Sequence, residues 1–209
     1  MTMGGIMPSL AKRPRGALRL ALLAPLLALG GCVSLGGAEQ PESLLTLTPE
    51  MSAPAGSAVS AARGQAIALN ELVVPAEIDV LRVPVRIDPT NVAYLKDAVW
   101  VERPGQLFRR LLAETIRVRT ERVVLAGGDP LARGAPQLRG QISEFGYDAS
   151  RAAVVVRFDA MLVGDDGVVE QQRFEAVEQG VIAEAGPVGA ALNRAANDVA
   201  RQVADWVAQ

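Results

Sequence analysis

The chain contains no histidine. Ser-His-Asp and Cys-His nucleophile pairs are therefore excluded, and so are most zinc sites, which draw on imidazole or several thiolates. Cys32 is the only cysteine, so no disulfide can form within the chain. Lys96 is the only lysine beyond Lys12, which leaves a Ser-Lys dyad resting on a single residue. Aromatic residues make up 4% of the chain, a lean supply for a sugar-binding cleft. No Gly-rich phosphate loop is present. The chain is therefore expected to work without metal or cofactor and not to be an enzyme. A carboxylate pair is the one catalytic device the composition leaves, and Asp79, Asp97 and Glu102 are its candidates.

Long hydrophobic runs are missing too. The apolar run Leu20–Leu29 has ten residues and carries Pro25 in its middle. As a helix it would span about 15 Å, half of a hydrocarbon core of about 30 Å. Lys12, Arg13, Arg15 and Arg19 precede it, and no acidic residue occurs before Glu39. A basic start, a short apolar run and small residues after it are the parts of a secretory signal peptide, here residues 1–31. Leu29-Gly30-Gly31-Cys32 resembles the bacterial lipobox, in which the cysteine thiol takes a diacylglyceryl group and the chain is cut just before it. Cys32 is thus the expected lipidation site, and a thioether removes the liability of an unpaired thiol in an oxidising compartment. Val33 follows, not the aspartate that holds many lipoproteins in the inner membrane, so the resemblance implies the periplasmic face of the outer membrane. Three acyl chains exceed the two signals that stable anchoring requires.

With the leader removed, 17 basic residues face 23 acidic ones, a net charge of −6 without a basic cluster, which disfavours nucleic acid as a partner. Residues 32–65 read as a lipidated N-terminus and flexible tether that includes one short extended piece, Leu44–Thr48. An ordered domain is expected over 66–209. Its first strand alternates from Ala66 to Val74 and stops at Pro75; Val83–Ile87, Val92–Leu95 and Val99–Val101 follow as short strands, the last two separated by a Lys96-Asp97 turn. Pro104 opens a helix whose stripe is Phe108, Leu111, Leu112 and Thr115, with Leu107 and Ile116 beside it. Arg109 and Arg110 read as its solvated face. Residues 121–125, 137–147, 152–163 and 168–177 form a four-strand, meander-like stretch, with Asp165-Asp166-Gly167 as a hairpin turn. Arg157 and Asp159 mark a wet sheet face. Pro187–Val207 is an amphipathic helix whose stripe ends in Trp206, read as core. The class is α+β: an antiparallel or mixed sheet with two amphipathic helices packed on one face, in a single domain.

Several pieces in order carry a family resemblance. They are the lipobox, then Leu44-Leu45-Thr46-Leu47-Thr48-Pro49, then Leu72-Val73-Val74-Pro75, then Arg86–Leu95 leading to Asp97-Ala98-Val99-Trp100 ahead of the first helix. Together they resemble the ABC-type transport auxiliary lipoproteins, whose better-known members are PqiC-like. In the opening motif Leu44 and Leu45 stand where the family has an aromatic residue. The resemblance implies a non-catalytic accessory of an MCE-type ABC system that moves lipids or other hydrophobic molecules between the two membranes. Its implied partners are an MCE-domain protein and the permease and ATPase, with a homo-oligomeric ring as one arrangement. It assigns no partner-binding residue. The alternative is an outer-membrane docking or assembly factor for secretion or cell-wall synthesis.

Overall fold

The computed structural model describes residues 43–60 and 65–209; Cys32 and the lipobox lie outside them. Among the described residues, seven strands form one mixed sheet and two long helices cover one of its faces. The sheet is organised by β5 (Gln137–Asp148). Along one edge β5 pairs antiparallel with β6 (Ala153–Val163), and β6 with β7 (Val169–Gln179). Its other edge is divided. The N-terminal end takes β1 (Ile67–Leu69) in parallel, with β4 (Val124–Ala126) parallel outside it. The C-terminal end takes β2 (Arg82–Asp88) in parallel, with β3 (Asn91–Val99) antiparallel outside that.

The turns follow from local chemistry. Asp166 Oδ1 accepts from the Val168 N–H at 2.9 Å, and Gly167 sits at φ 85°, so an aspartate and a glycine close the β6–β7 hairpin. Asp148 closes the β5–β6 turn likewise, accepting from the Ser150 N–H at 3.0 Å. Pro104 occupies the first turn of α1 (Pro104–Thr120), where a missing N–H costs nothing. Glu121 ends that helix in the left-handed region at φ 53°, and Arg117 and Arg119 lie in its last turn, favourable to the helix dipole.

The core lies between the helices and one sheet face. Val154, Val156, Phe158 and Ala160 of β6 point into it, and Phe108 of α1 stacks edge-on to Phe158 at 5.4 Å and to Phe145 at 6.2 Å. Fully burying side chains of this size stabilises by about 1.5–3 kcal/mol each. Along α2 (Ala185–Val207), Ala191, Ala195, Ala196, Ala200 and Ala204 are all buried, which lets the helix approach α1 and the sheet closely. Trp206 packs on Phe174 of β7, ring centres 5.6 Å apart, so it belongs to the core. No helix among the described residues is long and apolar enough to cross a membrane.

Five sequence expectations are corrected. β1 is three residues long and fully buried, because it runs between β4 and β5; beyond it Val73 makes only a single bridge, to Gln141. Lys96-Asp97 is no turn: β3 runs through it, and Asp97 at φ 58° produces an irregularity that shifts the register from Arg82↔Val99 to Pro84↔Tyr94. No separate strand covers Val99–Val101; Trp100 instead bridges in parallel to Leu45. The meander has three strands, because β4 joins β1 and not β5. In the first helix Thr115 is only half-buried, its hydroxyl donating to the Leu111 carbonyl at 2.8 Å.

Residues 43–53, expected to lie in the tether, are held on the helices. Leu47 is buried, and Leu45 lies so close to Gly189 that a Cβ there would meet its Cδ2 at 2.5 Å. The Thr48 N–H donates to Asn193 Oδ1 at 2.8 Å, the Glu50 N–H to Asn197 Oδ1 at 2.9 Å, and the Ala53 N–H to Glu114 Oε1 at 2.8 Å. Asn197 also donates to the Thr48 carbonyl at 2.9 Å. This strap reaches side chains of α2 and then of α1.

Candidate partner surface

The face of the sheet away from the helices is charged, and a bulge builds it. At Ser143 the β5–β6 register slips between Ile142↔Phe158 and Glu144↔Arg157. After the slip Phe145 and Tyr147 face the helices, while Glu144 lies beside Arg157 on the opposite face. Four strands then contribute one row of alternating sign. Arg86 of β2 lies 3.3 Å from Glu144, and Arg157 of β6 lies 2.7 Å from the other oxygen of Glu144 and also pairs with Glu175 of β7. One row away, Asp159 pairs with Arg173 at 2.5 Å. The hydrogen bond from Arg173 holds the Asp159 carboxyl below its usual range against the opposing effect of burial, and the Ser143 hydroxyl adds to it. Exposed ion pairs contribute little singly, about 0–1 kcal/mol. What the row does is set a fixed pattern of charge.

Beside the row lies a small cleft. Its floor is apolar, made by Pro84, Val92 and Val155, and Gly146 leaves room: a Cβ there would meet the Pro84 carbonyl oxygen at 2.5 Å. One wall is the loop after Pro75, whose Ile78 is buried and whose Glu77 carbonyl accepts from the Tyr94 hydroxyl at 3.4 Å. Glu77, Arg86 and Glu144 form the rim, and Arg86 is 3.6 Å from Glu77. The lining contains no serine, threonine, cysteine or lysine, and its carboxylates Glu77 and Glu144 are both paired with Arg86. An apolar floor inside a rim of both charges suits recognition of a protein surface.

The catalytic candidates are not gathered here. Asp79 is paired with Arg103 at 2.8 Å, Glu102 with Arg110 at 2.5 Å, and Asp97 lies 3.9 Å from Lys96; none of the three lines the cleft. Arg109 is likewise paired, 3.4 Å from Glu71. Among the described residues no three potential metal ligands come together. Leu29, Gly30, Gly31 and Cys32 lie outside the described residues.

Arg157 and Asp159 were legible as a wet face; their partners were not. A signal for two of them existed. Folding the chain about Asp166-Gly167 puts Arg157 opposite Glu175 and Asp159 opposite Arg173, two matched pairs. Arg86 and Glu144 carried no such signal, because the bulge and the parallel β2–β5 pairing both arise from distant sequence.

A family model described as the ABC-type transport auxiliary lipoprotein component matches residues 46–204. No curated protein matches the chain at a significant level. Protein XCC0632 from Xanthomonas campestris has a similar structure, with a TM-score of 0.66 at 15% identity over 79% of this chain and 94% of that one. A crystal structure of an uncharacterized protein has a TM-score of 0.62 at 13% identity, covering 79% of this chain and 99% of that one. At such identities the likeness establishes the fold.

Proposed function

Because the chain belongs to the ABC-type transport auxiliary lipoprotein family, we infer that it is the membrane-anchored, non-catalytic accessory of an MCE-type ABC transport system. In this reading residues 1–31 are removed and Cys32 carries the lipid in the periplasmic leaflet of the outer membrane. The domain meets an MCE-domain conduit whose permease and ATPase lie in the inner membrane, and the cargo is lipid or another hydrophobic molecule. The observation that carries it is the family match over residues 46–204, close behind Leu29-Gly30-Gly31-Cys32. The charged sheet face and its cleft are the surface we assign to the protein partner.

The strap gives the anchor a definite reach. Eleven peptide units separate Cys32 from Ser43, where the described chain begins. Fully extended they span at most about 40 Å, so the domain works close to the bilayer that holds its lipid.

The test is affinity purification of the tagged full-length protein from detergent-solubilised envelopes, with Cys32→Ala as control. MCE-domain, permease and ATPase subunits are expected, and Cys32→Ala is expected to leave the membrane fraction. Recovery of peptidoglycan synthases or secretion components alone would replace the transport reading with that of an assembly factor.

A further inference from the structure

β7 is an edge strand with few of the usual protections. It has eleven residues in unbroken register with β6, and contains no proline, glycine, lysine or bulge. Among the described residues no strand pairs with its outer edge.

The direction of its backbone groups can be read from the hairpin. The Gly164 N–H donates to the Val168 carbonyl at 2.8 Å, which makes these two a hydrogen-bonded pair. Such pairs alternate along an antiparallel ladder, so even-numbered residues of β7 bond to β6 and odd-numbered ones turn their N–H and C=O outward. The Glu175 carbonyl agrees: it accepts instead from the side chain of Gln202, at 3.3 Å.

We propose that β7 is the site at which a second copy of this chain adds, antiparallel and about a twofold axis at Phe174. Only odd residues can pair across this edge, so the registers are few. A twofold at Arg173 sets arginine against arginine, and one at Glu175 sets glutamate against glutamate. A twofold at Phe174 places Arg173 opposite Glu175 of the second copy, and does so twice. The row of charges then continues without a break in sign: Arg86, Glu144, Arg157, Glu175, followed by Arg173 and Asp159 of the second copy. Like charges meet where Glu170 faces Glu178 of the second copy, also twice, and Arg194 already neutralises each Glu178 at 2.9 Å.

The distribution of apolar surface supports the same axis. Val168 and Val169, 54% and 58% exposed, lie at one end of β7, and Ile182, 64% exposed, lies just beyond the other. Antiparallel pairing at Phe174 brings each valine pair to the Gly180–Ile182 end of the second copy. Two equal apolar contacts then flank the polar ladder.

The test traps the register. With a twofold at Phe174, residue 171 faces residue 177 of the second copy, at the spacing of about 5.5 Å between Cα atoms that a disulfide spans. Within one chain, or between two copies of the same position, these sites are about 20 Å apart. The full-length protein in detergent carrying Gln171→Cys and Val177→Cys is oxidised beside each single variant and the parent, which together set the background. Disulfide-linked dimer at about tenfold the level of either single variant is expected, given the narrow geometry of the bond. Melting curves matching the parent show that the fold is kept. No excess dimer overturns the proposal, as does preferential dimer from Gln171→Cys with Gln179→Cys, which reports a register without the charge match. Neither result depends on transport partners, so the outcome is separate from that of the family reading.

Discussion

Asn197 is the described polar residue that the core encloses most fully, at 4% exposure, and its replacement by alanine should release the strap. Its side chain joins the strap to α2: Oδ1 accepts from the Glu50 N–H at 2.9 Å, and Nδ2 donates to the Thr48 carbonyl at 2.9 Å and to the Asn193 carbonyl at 2.8 Å. The Asn193 contact lies within one helix, where the backbone already satisfies the carbonyl, so its loss costs little. The two strap bonds are worth about 1 kcal/mol each net, and leaving a part-buried N–H unpaired raises the cost, to about 2–3 kcal/mol in total. Leu45 and Leu47 keep their apolar contacts, so the strap should loosen locally while the domain stays folded. Hydrogen exchange reads this directly. At tenfold per 1.4 kcal/mol, the Glu50 amide should exchange roughly 30- to 150-fold faster in Asn197→Ala, with amides of β6 unchanged. Thr48 should follow Glu50, because its bond to Asn193 depends on the same seat. Asn197→Asp, which keeps the acceptor and loses the donor, should fall between. Glu50 exchange within about threefold of the parent would show that the apolar contacts alone seat the strap.

Three further outcomes are expected. Phe108→Ala empties the space between Phe145 and Phe158 and should destabilise the domain by about 3–5 kcal/mol in urea unfolding; a change under about 1 kcal/mol would mean the core collapses to fill it. Gly146→Ala drives a methyl group against the Pro84 carbonyl and should cost about 1–3 kcal/mol by the same assay, whereas Gly128→Ala, which meets open space, should cost markedly less. Asp159 has a lowered folded pKa, so the unfolded chain binds more protons in the acid range; its contribution is present above about pH 4 and is lost as pH falls through the folded value. Asp159→Asn should therefore narrow the difference in melting temperature between pH 6 and pH 3, and an unchanged difference would place that acid sensitivity elsewhere.

The elements legible in the sequence are those whose causes lie within a few residues. Pro104 starts a helix because its ring and missing N–H suit only the first turn, and Phe108, Leu111 and Leu112 recur with the helical period. Asp166-Gly167 closes a hairpin because a short acceptor and a positive φ are needed there, and the register of β6 on β7 follows. Trp206 was readable as core because it shares the stripe of Val199 and Val203.

Sequence alone thus determined the two amphipathic helices, the β5–β6–β7 hairpins and the α+β class, all products of local pattern. Tertiary structure decided the rest. β1 is buried on three residues because distant β4 and β5 flank it, and β5 shares one edge between β1 and β2, a division that no local period records. The Ser143 bulge sets Glu144 between Arg86 and Arg157, and Asn197 reaches a backbone carbonyl 149 positions away. Pairings of this kind depend on which segments meet after the chain closes large loops. They are settled by the packing of the whole domain, not by the preferences of any one stretch.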